Sequence, residues 1–197
     1  MKDNRDRILD VAIELAEKGG FDNVRQRDVA AASGVALGTL YKRFRSKEEI
    51  LCAALARETA ELERRMASTP PRGDTEDERL TSFFRVATRG MCKKPNYTRS
   101  VLRALSSGVP EVAANVAQNQ GRMTALIIGA LRGDGDASAP TKREQTIALL
   151  LQQIWFASLV GWSAGLFEER DIIAQTRLAT QWLVRSSEVE ARGAKKK

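Results

Sequence analysis

The chain of 197 residues predicts an all-α protein of about nine helices, and three observations carry that reading. Apolar residues recur at spacings of three and four throughout, the period of an amphipathic helix. β-Branched runs are few and Asn-Gly hairpin turns are missing. The periodic stretches are separated by helix-stopping residues: Gly19-Gly20, Ser33-Gly34, Pro95, Gly108-Val109-Pro110 and the run from Gly133 to Pro140.

Taken in order, the first helix covers residues 4–18, with Ile8, Val11, Ala12, Leu15 and Ala16 on one face. Short helices over 26–32 and 36–44 flank a turn at Ser33-Gly34-Val35. Ser46-Lys47-Glu48-Glu49 has the pattern of a capping box, in which Ser46 accepts from the amide three residues on and Glu49 reaches back. It opens a long helix ending near Ser68, followed by the loop Thr69–Asp74. Further helices are expected over 75–93, 96–107, 110–132, 141–166 and 169–187. The division expected is a small module over 1–47, a larger helical body over 48–187 and a polar tail over 188–197.

Composition narrows the chemistry. Histidine is absent, which removes Ser-His-Asp triads, Cys-His pairs and His-rich zinc sites. Cys52 and Cys92 form no CxxC pattern and read as reduced thiols of a cytosolic protein. No metal and no cofactor is expected. The N-terminus MKDNRDR lacks the pattern of a signal peptide. Thr146–Phe167 carries no charge, yet Gln152-Gln153, Gly161 and Gly165 suit a buried oligomer seam better than a membrane span. The net charge of +7 is uneven: residues 25–47 hold six Lys/Arg against Asp28 alone, a net of +5. A local cationic patch invites a nucleic-acid partner.

That patch coincides with helix-turn-helix spacing over Gln26–Phe44. Ala30 is small enough for two helices to cross closely, and Gly34 takes a turn conformation that a Cβ opposes. Val29, Val35 and Leu40 face inward. The second helix then offers Leu37, Thr39, Lys42 and Arg43 to a major groove. Arg43 suits bidentate contact with guanine, while Thr39 and Tyr41 suit phosphates. Lys47 stands at the start of the next helix, where the amides and dipole favour phosphate.

Here the sequence resembles the TetR family of bacterial transcriptional regulators. The resemblance rests on Arg27-Asp28-Val29-Ala30, Ser33-Gly34-Val35, Gly38-Thr39-Leu40-Tyr41, Phe44 and Ser46-Lys47-Glu48-Glu49-Ile50. It implies a helix-turn-helix DNA-binding domain over 1–47 and a ligand-binding and dimerisation domain over 48–187. By position, it implies DNA contacts from Arg27, Leu37, Gly38, Thr39, Tyr41, Lys42, Arg43 and Lys47. An aromatic or His often stands in the family at the place of Lys42 or Arg43. Two cations there fit either a G-rich half-site or extra phosphate contacts.

The body has Phe83, Phe84, Ala87 and Met91 on one stripe, and Val101, Leu102 and Leu105 on the next. Such stripes suit plain core as well as a pocket; the resemblance implies an effector pocket. Val116, Met123 and Ile127 continue it, with Asn119 on the same stripe and Asn115 beside it, and Gln152 and Trp155 follow on a later helix. Asn119 and Gln152 fit either a structural bond or an orienting bond to a ligand. Ala157, Gly161 and Gly165 recur every four residues, which suggests close backbone approach. With Trp162, and with Ile172, Ala179, Trp182 and Leu183 of the last helix, the resemblance implies a four-helix homodimer seam.

The expected function is a cytoplasmic repressor released from a palindromic double-stranded DNA operator by a small apolar effector. The motif region also looks like that of actinobacterial regulators of sterol and lipid breakdown, so a steroid or acyl-CoA is favoured. A multidrug-efflux regulator with a promiscuous aromatic pocket is the alternative. An α-helical enzyme is the alternative of another class, and no catalytic constellation supports it.

Overall fold

The computed structural model describes residues 3–133 and 138–194, with side chains through Ser186. Among them are nine α-helices: α1 (Asn4–Gly19), α2 (Gln26–Ser33), α3 (Leu37–Arg43), α4 (Lys47–Ser68), α5 (Glu76–Cys92), α6 (Pro95–Leu105), α7 (Ala113–Arg132), α8 (Lys142–Ser163) and α9 (Glu169–Ala194). Two 3-10 turns cover Phe21–Asn23 and Pro110–Val112. The predicted all-α class is the observed one. Of the expected break over 133–140, residues 134–137 lie outside the described residues.

The chain forms two compact units, each discontinuous in sequence. One comprises the chain up to Glu61 with Met91–Gln120; the other comprises Leu62–Gly90 and the chain from Gly121 on. These packing units differ from the sequence division at 47/48, because α4, α5 and α7 each contribute to both.

In the first unit, Ile8, Leu9, Ala12, Ile13 and Ala16 of α1 are buried with Val29 and Ala30 of α2 and Leu40 of α3. Ile50, Leu51, Ala54 and Leu55 of α4 and Tyr97, Val101 and Ala104 of α6 complete this core. Gly34 ends α2 at φ 65° and ψ 30°. Its N–H donates to Ala31 O and that of Val35 to Ala30 O, a Schellman arrangement that sets the turn into α3. Ser46 Oγ accepts from Glu49 N–H at 3.1 Å, as the sequence indicates. The Glu49 carboxylate, however, reaches the N–H of Arg45 at 2.6 Å. The reciprocal bond therefore falls one residue earlier.

In the second unit, Leu80, Phe83, Phe84 and Ala87 of α5 and Met123, Ile127 and Leu131 of α7 are buried. So are Ile147, Leu151, Trp155 and Leu159 of α8, one residue in four and hence one helix face. Arg79 donates to Leu131 O at 2.7 Å and Ala130 O at 3.3 Å, closing the carbonyl end of α7. Thr141 and Glu144 form a capping box at α8 that the sequence reading missed. Glu144 also forms a two-pronged ion pair with Arg132, whose Nε lies 2.7 Å from Oε1. The Arg132 guanidinium and the cap hold the Glu144 carboxyl down at about 2, against 4.5 ordinarily.

Two helix ends differ from expectation. α8 stops at Ser163, three residues early, because Gly165 adopts φ 80° and Leu166 N–H folds back to Gly161 O at 2.9 Å. α9 continues to Ala194, so the segment expected as a polar tail from 188 is helical through that residue. By length and composition α8 meets the criterion for a membrane span. Its buried stripe packs inside the second unit, beside α9.

Candidate nucleic-acid interface and effector region

The recognition surface rests on a fixed α2–turn–α3 unit. Val29, Ala30, Val35, Leu40 and Phe44 are all buried, confirming them as core. Gln26 Nε2 donates to Phe44 O at 3.0 Å, tying the start of α2 to the end of α3. The sequence reading missed this bond, since an amide side chain carries no periodic signal. With Leu40 inward, a turn of about 100° per residue places Gly38 and Lys42 on the opposite side of α3, flanked by Thr39 and Tyr41, with Arg43 at the edge nearer Leu40. All five are exposed, Tyr41 by 50%. This face offers a hydroxyl, a phenol, an ammonium and a guanidinium beside a glycine that lets a partner approach. Arg27 is exposed on α2, whereas Leu37 is half-buried against the core.

Two of the assigned cations have partners. Arg43 Nη1 stands 3.9 Å from Asp3, both largely exposed. Lys47 is more constrained: its ammonium donates to Phe21 O at 3.3 Å, lies 3.9 Å from the Phe21 ring centroid and stands 3.5 Å from Asp22. The sequence reading gave Phe21 and Asp22 no role.

α1, α4 and α6 are joined by polar contacts. Arg57 of α4 donates to Asp10 Oδ1 at 2.7 Å and to Asp6 O at 3.2 Å. The Glu17 carboxylate accepts from Tyr97 N–H at 2.9 Å. Burial pushes the Glu58 carboxyl and the Tyr97 hydroxyl up, and pushes the Cys52 thiol up to about 11.

The residues assigned to an effector pocket fall into two groups. Phe83, Phe84, Ala87, Met123, Ile127, Gln152 and Trp155 belong to the second unit. There the Phe83 and Phe84 rings meet edge to face at 5.1 Å, and Phe84 lies 5.9 Å from Trp155. Trp155 Nε1 donates to Thr88 Oγ1 at 2.9 Å. Gln152 Oε1 accepts from Thr124 at 3.0 Å. Met91, Val101, Leu102, Leu105, Val116 and Asn119 belong to the first unit. Asn119 Oδ1 pairs with the Thr59 hydroxyl at 2.9 Å, so both amides have structural bonds. Leu105 and Val116 also line an open groove of about 300 Å³ with Val109, Pro110, Val112 and Gln120.

The residues assigned to a dimer seam divide as well. Trp182 is 71% exposed and Ala157 is exposed; Trp162, Ala179 and Leu183 are half-buried. Ile172 is fully buried within its own unit. Gly161 is buried beneath Phe167, and Gly165 is a helix-ending residue beyond α8. The every-fourth-residue pattern therefore has separate causes and is no shared helix face. The outer faces of α8 and α9 instead expose Leu149, Leu150, Phe156, Val160 and Leu178, which the sequence reading left unassigned. For the four on α8 the signal was present as the second apolar stripe of a helix hydrophobic all round.

A helix-turn-helix with an exposed polar second helix, carried on an all-helical chain, defines a helical DNA-binding regulator. Comparison with known proteins makes the class specific: residues 8–54 match the model for bacterial regulatory proteins of the tetR family, and residues 73–183 match that for the tetracyclin repressor-like C-terminal domain. The chain belongs to the TetR family of transcriptional regulators, a family that is generally non-enzymatic. It is 32% identical over 183 residues to the HTH-type transcriptional repressor KstR of Rhodococcus jostii, covering 93% of this chain and 84% of that protein. The KstR of Mycobacterium tuberculosis is 29% identical, with 93% and 81% covered. Among solved structures, a TetR transcriptional regulator from Rhodococcus sp. RHA1 superposes with a TM-score of 0.80 at 24% identity, covering 92% of this chain and 94% of that one. Thermus thermophilus FadR in complex with lauroyl-CoA gives a TM-score of 0.66 at 22% identity, covering 91% and 93%.

Proposed function

We propose that the chain is a dimeric, ligand-responsive repressor that reads a palindromic operator with α3. The observation that carries this reading is the exposure of Gly38, Thr39, Tyr41, Lys42 and Arg43 around a helix anchored by buried Leu40. Arg27 and Lys47 contribute phosphate contacts and Leu37 an apolar edge. In this reading residues 1–47 bind DNA, and residues 48–187 hold the effector and the dimer seam. The protein works in the cytoplasm.

The seam comprises the outer faces of α8 and α9, centred on Phe156, Val160, Leu178 and Trp182. Apolar side chains gathered on one face favour burial against a second copy. Pairing places two copies of α3 about 34–36 Å apart, one turn of DNA.

The effector is a lipid-like molecule, an acyl-CoA or a steroid. The aromatic and Met side chains around Phe84 and Trp155 suit an apolar guest. Structures similar in fold were solved with lauroyl-CoA and, for Bacillus subtilis FadR, with stearoyl-CoA. Release requires that the ligand bind the non-DNA state more tightly. Titration with an acyl-CoA or a steroid, followed through Trp155 fluorescence in a Trp162→Phe, Trp182→Phe background and through operator release by the wild-type chain, tests this. Saturable quenching with release of DNA supports the reading; quenching that leaves the operator occupied contradicts it.

A further inference from the structure

One constellation beside the recognition surface ties a single DNA contact, Lys47, to three residues that have no role at the DNA. Phe21 and Asp22, in the turn after α1, are held by two cations from different helices. Lys47, at the start of α4, lies 3.9 Å from the Phe21 ring centroid, and the Arg103 guanidinium carbon of α6 lies 4.2 Å from the same centroid. Asp22 serves both cations: Oδ1 stands 3.5 Å from Lys47 Nζ, and Oδ2 accepts from Arg103 Nη1 at 3.1 Å. Arg103 first, then Lys47, holds the Asp22 carboxyl below its usual range. All four residues belong to the first compact unit. α6 also carries Val101, Leu102 and Leu105 of the effector region.

We infer that Arg103 is a positioning residue for Lys47, setting through Asp22 and Phe21 how freely the Lys47 ammonium can reach a DNA phosphate. The inference rests on the proposed role of Lys47 as a phosphate contact. Asp22 and the Phe21 face attract both cations, while Arg103 and Lys47, gathered on the same two groups, repel one another. With Arg103 in place that repulsion offsets part of the attraction, and Lys47 turns outward at lower cost. When a shift of α6 withdraws Arg103, Asp22 and Phe21 retain Lys47, and one phosphate contact is lost. The position of α6 is thereby read at the DNA surface without movement of α3.

The test is a double-mutant cycle read by DNA affinity and its salt dependence. The full chain is titrated by fluorescence anisotropy onto a labelled mixed-sequence duplex between about 50 and 200 mM salt. Arg103→Gln lowers affinity about two- to fivefold, the range expected from an exposed charge pair. It also flattens the plot of log affinity against log salt by about 0.9, the weight of one phosphate contact. Arg103→Lys restores both, and Asp22→Asn raises affinity. In the Lys47→Gln background Arg103→Gln has no further effect, and in the Asp22→Asn background its effect is reduced. If Arg103→Gln weakens binding equally in all three backgrounds, it acts by its own charge and the inference is overturned. If Lys47→Gln leaves the slope unchanged while Arg43→Ala flattens it, the DNA surface stands and the role of Lys47 falls. If neither variant changes the slope, the proposed DNA surface falls with it.

Discussion

The ring of Phe167 lies on Gly161: a Cβ built at that position stands 2.4 Å from Phe167 Cε2 and 2.5 Å from Cδ2. An interior helical glycine is thus explained inside one protomer, by the segment that folds back after α8. Gly161→Ala gains about 1 kcal/mol of helix propensity and loses about 1–3 kcal/mol to overpacking. A net loss of about 1 kcal/mol is expected, read as a lower urea midpoint with an unchanged m-value. The dimer persists. Dissociation without loss of protomer stability would instead return Gly161 to the seam.

Trp182 has the opposite character, since 71% of it is exposed. Trp182→Arg leaves the helical circular dichroism unchanged and weakens self-association by at least about 30-fold, the scale of an aromatic hot spot. Sedimentation velocity at micromolar protein then reports monomers. A variant that stays dimeric would move the seam elsewhere.

The Glu144–Arg132 pair makes stability depend on pH. The Glu144 carboxyl titrates at about 2 in the folded protein and near 4.5 ordinarily, and its side chain is 12% exposed. Its contribution is complete above pH 4.5 and is lost as pH falls towards 2, because the unfolded chain takes up the proton first. Glu144→Gln is expected to be less stable than the parent by about 2–3 kcal/mol at pH 7. Urea unfolding at falling pH shows that gap closing. A gap independent of pH would show that the pair is not the cause.

Thiol labelling separates the two cysteines. Cys52 is buried, with its thiol pushed up to about 11, so little thiolate is present at neutral pH. Cys92 is only half-buried. A native titration with a disulfide reagent is expected to label Cys92 and to reach Cys52 on unfolding. Fast labelling that survives Cys92→Ser would contradict this.

Much of the fold was legible because helices announce themselves in period and punctuation. Gly34 set the turn of the recognition unit, and Val29, Leu40 and Phe44 were readable as core. Contacts between elements distant in sequence were not. Nothing local marks Gln26 as the partner of Phe44, or Arg103 as a neighbour of Phe21. The equal spacing of Ala157, Gly161 and Gly165 hid three different surroundings. Ala157 is exposed on the protomer, Gly161 makes room for Phe167, and Gly165 is the left-handed residue that ends α8. The outer stripe of α8 was hidden by its inner one, since a helix apolar on both sides shows no preferred face.

The central claim is that α3 reads a palindrome, and footprinting of the DNA upstream of the chain's own gene tests it most directly. The wild-type protein is expected to protect a palindrome whose half-sites lie about one helical turn apart. The double variant Arg43→Ala, Tyr41→Phe loses that protection while keeping its fold and dimeric state. Undiminished protection of the same palindrome by the double variant would contradict the assignment of α3 as the recognition helix.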